Sequence, residues 1–190
     1  MHFKLRDKIL FISQNVYKKY YEKSSKIHDT TDLNQKCIKA ITDNLSPKKI
    51  IDVGCGNGFL LKTISNKNFQ LYASDIKIHS STKKDFKDLK IKFKEENILD
   101  MKYKSNSFDT VICTHTLEHL LDIKGAYEKL LKITKKKLII VVPQERPYKY
   151  TFNGHIHFFP YASSFINAIR PRNKFKIINY NRDFFYIEYK

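Results

Sequence analysis

No stretch of this 190-residue chain approaches the ~20 consecutive apolar residues that a membrane-spanning helix needs. Its opening residues, Met1-His2-Phe3-Lys4-Leu5-Arg6-Asp7-Lys8, alternate charge with apolar positions and lack the apolar core of a secretory signal. Membrane insertion is therefore not expected, and a cytoplasmic protein is. Cysteine is scarce. Cys37, Cys55 and Cys113 form no Cys-x-x-Cys pair, and in a reducing compartment they argue against a disulfide framework. Arginine supplies only five of 36 basic residues, at Arg6, Arg146, Arg170, Arg172 and Arg182. A formal charge of +17 would suit a nucleic-acid partner. Readers of bases and phosphates favour the bidentate guanidinium, however, and these lysines are spread along every segment. The charge reads first as solubilising and weakly anion-attracting, with nucleic acid kept as the lesser alternative to a small-molecule partner. No repeat, low-complexity tract or flexible linker is visible, and nothing in the sequence sets an oligomeric state.

What is present is enough for one core. At 42% hydrophobic content the chain reads as a single domain over residues 1–190, a helical cap over 1–45 and an α/β core over 46–190. Leu5, Ile9, Ile12, Val16 and Tyr20 recur at helical spacing, as do Cys37, Ile38, Ile41 and Leu45. Ser46-Pro47 then breaks the pattern. From there strand-like runs alternate with helical ones: Ile50–Val53, Gln70–Asp75, Ile91–Lys94, Phe108–Cys113 and Lys137–Val142. Such alternation predicts a parallel sheet covered by helices. Phe175–Asn179 and Phe184–Tyr189, joined by the turn-prone Tyr180-Asn181-Arg182-Asp183, predict an antiparallel hairpin at its end. The lysine clusters at 83–84 and 135–137 read as solvated helix faces or turns.

Three of the five glycines fall in one octapeptide, Ile51-Asp52-Val53-Gly54-Cys55-Gly56-Asn57-Gly58. An apolar strand precedes it and Phe59-Leu60-Leu61-Lys62-Thr63-Ile64 reads as a helix after it, so the glycines occupy a strand-to-helix turn where a ligand can approach the backbone. A dinucleotide fingerprint would be G-x-G-x-x-G, whereas here the spacing is G-x-G-x-G behind an acid. Asp75 ends the second apolar run, where an adjacent parallel strand would deliver a carboxylate to ribose hydroxyls.

With these motifs the chain resembles the class I S-adenosylmethionine-dependent methyltransferases, of the small bacterial type-11 and type-23 domain kind. Glu96-Asn97-Ile98-Leu99-Asp100 resembles the family's adenine-gripping segment, with Asn97 where Asp is more common. Ser107-Phe108-Asp109-Thr110-Val111-Ile112-Cys113 resembles the fourth strand, and Leu117-Glu118-His119-Leu120 the segment after it. The resemblance covers about residues 46–160. It implies a Rossmann-like, mostly parallel seven-stranded sheet with an antiparallel last strand and helices on both faces. It also implies a cofactor site made from Asp52, Gly54, Cys55, Gly56, Gly58, Asp75, Ile76, Asn97, Ile98 and Thr114.

Ligands of open α/β sheets bind beyond the carboxyl ends of the strands. After the fourth strand stand His115, Glu118 and His119, which share one face if the segment is a helical turn. The loop after the fifth strand carries His155 and His157, and an aromatic stretch in which Phe158 and Phe159 read as core and which leads into a helix over Tyr161–Ile169. Methyl transfer needs an acceptor atom held in line, and a hydroxyl acceptor must also lose its proton. His119 is the first choice for that base, followed by His155, with Glu118 and His115 beside them. The four also form a candidate divalent-metal site, resembling the E-x-x-E-H pattern of metal-dependent small-RNA 2′-O-methyltransferases and related positions of ubiquinone-pathway O-methyltransferases. His115 replaces the first glutamate of that pattern, and imidazole-rich ligands favour zinc or another transition metal over magnesium. The expected activity is O-methylation of a small hydroxylated acceptor, sugar-linked or phenol-like. A metal-dependent RNA 2′-O-methyltransferase and a non-catalytic cofactor-binding subunit are the alternatives. The acceptor pocket is expected from residues 1–30, where Tyr17, Tyr20 and Tyr21 lie, together with the loop after strand four and residues 144–165. His2, His28 and His79 have no comparable context.

Overall fold

The computed structural model describes residues 31–65, 68–148 and 154–190. The expectations placed on residues 1–30, on the Leu5–Tyr20 helix and on residues 149–153 lie outside the described residues. The first described helix, α1 (Gln35–Asn44), starts at Asn34, whose Oδ1 accepts the Cys37 N–H at 2.9 Å. It buries Cys37, Ile38, Ala40 and Ile41. The order then runs β1 (Lys49–Val53), α2 (Phe59–Ile64), β2 (Gln70–Asp75), α3 (Ser80–Asp88), β3 (Lys92–Glu95) and β4 (Phe108–Thr114). It continues through α4 (Ile123–Ile133), β5 (Thr134–Pro143), α5 (Ala162–Ile169), β6 (Phe175–Asn179) and β7 (Asp183–Tyr189). Short 3₁₀ turns occupy Ile98–Asp100 and Leu117–His119.

The strands form one sheet in the order β3-β2-β1-β4-β5-β7-β6, parallel except for β7, which runs antiparallel to both of its neighbours. The central strands are continuous apolar runs because both of their faces are covered. Ile51, Val53, Val111, Cys113, Ile140 and Val142 pack with Ala126, Tyr127 and Leu130 of α4 and Phe165 of α5. Ile50, Ile112, Ile139 and Val141 turn the other way, toward Cys37 and Ile41 of α1, Leu60 and Leu61 of α2 and Phe86 of α3. The edges β3 and β6 are largely exposed.

Three local expectations change. Lys135–Lys137 belong to β5, which begins at Thr134, and not to a helix face or turn. Lys135 and Lys136 are exposed there and Lys137 Nζ donates to Asn44 O at 2.9 Å, so the strand runs past the core on long solvated stems. Asp183 leaves the expected turn and opens β7, paired in register with Pro143. The helix expected over 161–169 begins at Ala162. All three cysteines are free and buried. Among the described residues no helix is long and apolar enough to cross a membrane.

Candidate functional site

In this strand order the chain leaves β1 toward β2 and β3 on one side, while β4 and β5 lie on the other. The carboxyl ends of β1 and β4 therefore flank the switch point where open α/β sheets bind ligands. The glycine loop after β1 is tied to its neighbour strand. Gly54 N–H donates to Ser74 O at 2.8 Å, and Gly56 N–H donates to Asp75 Oδ2 at 2.8 Å. A Cβ on Gly54 would overlap the Thr116 side chain, so the glycine lets the loops after β1 and β4 touch. A Cβ on Gly56 would meet nothing within 4 Å, leaving its backbone open to a ligand.

A cavity of about 190 Å³ lies beside this loop. Gly54, Asp75, Ile76, Asn97 and Ile98 line one side of it. His115, Thr116, His119, Leu121 and Ile156 line the other. Thr114 does not line it; its carbonyl accepts the hydroxyl of Thr116, which does. Asp52, Cys55, Gly56 and Gly58 belong to the same strand end and loop but do not line it. Asn97 caps the 3₁₀ turn through the Leu99 N–H at 3.0 Å, which points this segment at the cavity. Burial raises the Asp75 carboxyl from 3.8 to about 6 against the pull of its backbone donors. Burial, then the charge of Asp75, raises Asp52 to about 7.

The histidine side is built by two loops that dock on each other. The Glu118 carbonyl accepts N–H groups from Ile156 at 2.8 Å and His157 at 3.0 Å, and the His157 ring donates from Nε2 to Leu120 O at 2.8 Å. His157 therefore serves as a clamp. Docking sets His155 edge-on to His119, with ring centroids 4.7 Å apart. His119 Nδ1 lies 3.1 Å from the Gly154 carbonyl, which can only accept, so the proton sits on Nδ1 and Nε2 keeps its lone pair. Burial holds His119 below its ordinary range, outweighing the opposite pull of Glu118. His155 donates Nδ1–H to Glu145.

His115 does not extend the helical turn. Its backbone is left-handed, at φ 47°, and its N–H donates to Val141 O. The ring nevertheless reaches Glu118, with Nδ1 at 3.6 Å from Oε1, and Nε2 lies 3.3 Å from Asp183 Oδ1 without hydrogen-bond alignment. Burial works against the charged form of His115, but Asp183, Glu118 and Asp32 together raise it above its ordinary value. Glu118 is fully buried and neither carboxylate oxygen has a hydrogen-bond partner. Ligand atoms of Glu118, His119 and His155 lie within 4.8 Å of one another, close enough that the three could hold a cation. His115 stands outside that trio. Sequence reasoning missed Glu145, Thr116 and Asp183. Glu145 was signalled by its place just after β5, whereas Asp183 looked like a turn residue. Of the aromatic pair, Phe159 is core and Phe158 is half-buried.

Residues 51–142 match the family model described as a methyltransferase domain. An uncharacterized protein of Methanocaldococcus jannaschii is 36% identical over 95 residues, 49% of this chain and 40% of that one. A ubiquinone biosynthesis O-methyltransferase of Idiomarina loihiensis is 28% identical over 120 residues, 57% of this chain and 47% of that one. The chain thus spans less than half the length of these curated relatives. Among solved structures, magnesium protoporphyrin IX methyltransferase from Synechocystis, with bound SAH, superposes with a TM-score of 0.67 at 13% identity, over 94% of this chain and 100% of that one. At that identity the likeness is one of fold.

Proposed function

We propose, for a chain that belongs to the class I S-adenosylmethionine-dependent methyltransferases, that it methylates an oxygen of a small hydroxylated acceptor, sugar-linked or phenol-like, with His119 as general base. The residues present fit the cofactor. Gly56 leaves open backbone, Asp75 lines the cavity, and Asp52 keeps a buried oxygen without a partner. When bound, S-adenosylmethionine supplies an already activated methyl group, which leaves the protein to orient the acceptor, exclude water and take a proton. The observation that carries the reading is a single cavity bounded by Asp75 on one wall and, on the other, by a His119 whose Nδ1 is anchored and whose ring is kept neutral. A neutral imidazole with one free lone pair suits deprotonation of a hydroxyl near neutral pH.

One observation favours a second reading. Glu118 is a buried carboxylate with two unsatisfied oxygens beside two imidazoles, and such a group is costly without a cation. Glu118, His119 and His155 would hold a divalent transition metal, zinc by ligand type, with Glu145 orienting His155 from behind. A metal there would lower the pKa of an acceptor hydroxyl, and His119 would then be a ligand instead of the base.

The test is a panel of hydroxylated acceptors, with RNA included, incubated with methyl-labelled S-adenosylmethionine and product mapping. Methyl ethers of small acceptors, lost by roughly 100-fold or more in His119→Ala, support the proposal. Methylation at nitrogen or carbon, or of RNA alone, overturns it. Metal content and chelation separate the two readings. Activity that survives chelation in metal-free protein assigns His119 as base, and activity lost to chelator and restored by zinc assigns the metal.

A further inference from the structure

Asp52, one residue before the end of β1, and Asp75, at the end of the neighbouring β2, are 2% and 5% exposed. In a chain carrying 36 lysines and arginines, no cation among the described residues faces either carboxyl. Asp75 is held by backbone donors, with the Gly56 N–H on Oδ2 at 2.8 Å and the Lys77 N–H near Oδ1 at 3.4 Å. Asp52 Oδ1 has no hydrogen-bond partner at all. The other titratable groups around the pair give no relief. Cys55 of the glycine loop and Cys113 of β4 face both aspartates, and their thiols are pushed up by burial first and then by the carboxylates. Glu95, at the end of β3, adds like charge toward Asp75, and Glu118 does the same toward Cys113.

Two adjacent buried carboxylates without a cation cannot both ionise cheaply. The ligand proposed above brings what they lack. S-adenosylmethionine carries a sulfonium as well as an ammonium, whereas the product left after transfer has a neutral thioether sulfur. Resting on that cofactor reading, we propose that Asp52 and Asp75 share one proton in the unliganded pocket and release it when the sulfonium cofactor enters, which makes the pair a charge-based discriminator between cofactor and spent product. The proton leaves to solvent on binding and returns from solvent when the thioether stands in place of the sulfonium. No other bond changes. Burial agrees in direction, since it raises both carboxyls toward neutrality, Asp52 further than Asp75.

Calorimetric titration of the full chain, at pH 6.5 in buffers of different ionisation enthalpy, counts the protons directly. S-adenosylmethionine is expected to release about half to one proton per site and to bind about tenfold more tightly at pH 8 than at pH 6. S-adenosylhomocysteine is expected to release less and to change affinity by about threefold or less over the same range. In Asp52→Asn, checked for folding by circular dichroism, the pH dependence for S-adenosylmethionine should flatten to within about twofold. Should that variant not fold, the comparison of the two ligands on the unaltered chain decides alone. No proton release with S-adenosylmethionine, equal release with both ligands, or unchanged release in Asp52→Asn overturns the inference while leaving the methyltransferase reading in place. Absence of S-adenosylmethionine binding at every pH rejects that reading, and the inference with it.

Discussion

Gly56 and Gly58 both adopt left-handed backbone, at φ 53° and 76°, yet alanine should act differently at the two positions. The backbone cost is shared: about 1–2 kcal/mol for a left-handed alanine, offset by about 0.4–1 kcal/mol from the stiffer unfolded chain. At Gly56 nothing lies within 4 Å of the added Cβ, so the net loss of stability should stay near 1 kcal/mol or below. At Gly58 the Cβ would overlap the Phe86 ring, which is fully buried between α3 and the sheet and leans on Phe93 at 5.9 Å. Forcing that ring aside adds an overpacking cost of about 1–3 kcal/mol, for a total of about 2–4 kcal/mol. For a chain of this size such a loss lowers Tm by roughly 5–15 °C. Urea denaturation followed by circular dichroism measures the stabilities, and calorimetry measures S-adenosylmethionine binding. Gly56→Ala should fold almost normally but lose at least about tenfold in cofactor affinity, because its methyl fills the space the ligand needs. Normal cofactor affinity in Gly56→Ala would refute the placement of the ligand against this loop. Undiminished stability in Gly58→Ala would refute the packing of Phe86.

Three further outcomes follow from buried acids. Burial raises the Asp52 carboxyl from 3.8 to about 7, so the folded chain holds that proton more tightly than the unfolded one; the resulting stabilisation is complete below about pH 3.8 and is lost as pH rises toward and through 7. Urea titrations without cofactor should therefore show the unaltered chain losing stability relative to Asp52→Asn between pH 5 and 8, by about 2–3 kcal/mol, and a gain instead of a loss would contradict the assignment. Glu118→Gln removes the only anion of the candidate metal ligands, so zinc affinity measured by calorimetry should fall by more than the roughly 10–100-fold typical of outer-shell changes. Glu188, fully buried at the far end of β7, accepts bonds from the Tyr127 and Tyr186 hydroxyls and from two nitrogens of Asn173; Glu188→Ala should cost about 3–5 kcal/mol in thermal or urea unfolding and leave cofactor affinity intact.

How far the site could be read from sequence depends on whether its geometry is local. The glycine loop is local: a strand, three glycines and a helix in sixteen consecutive residues force one turn, and Asp75 follows as the end of the next apolar run. The spacing of His115, Glu118 and His119 was visible too, but their shared helical face was not the right inference. His115 turns left-handed and meets Glu118 from outside the turn, leaving His119 and His155 as the rings beside the buried carboxylate. His155 arrives there because Ile156 and His157 donate to the carbonyl of Glu118, a backbone contact across nearly forty residues that no side-chain pattern announces. Asp183 is the clearest case. Within Tyr180-Asn181-Arg182-Asp183 it has the composition of a turn, and only the antiparallel register that pairs it with Pro143 places it against His115. Asn34, the N-cap of α1, then holds its other oxygen at 2.8 Å. Asn34, Asp183, His115 and Glu118 thus lie in one polar chain drawn from four separate elements. Each of these residues has an ordinary local reading as a cap, turn, strand end or short helical turn, and only the order of the sheet brings them together.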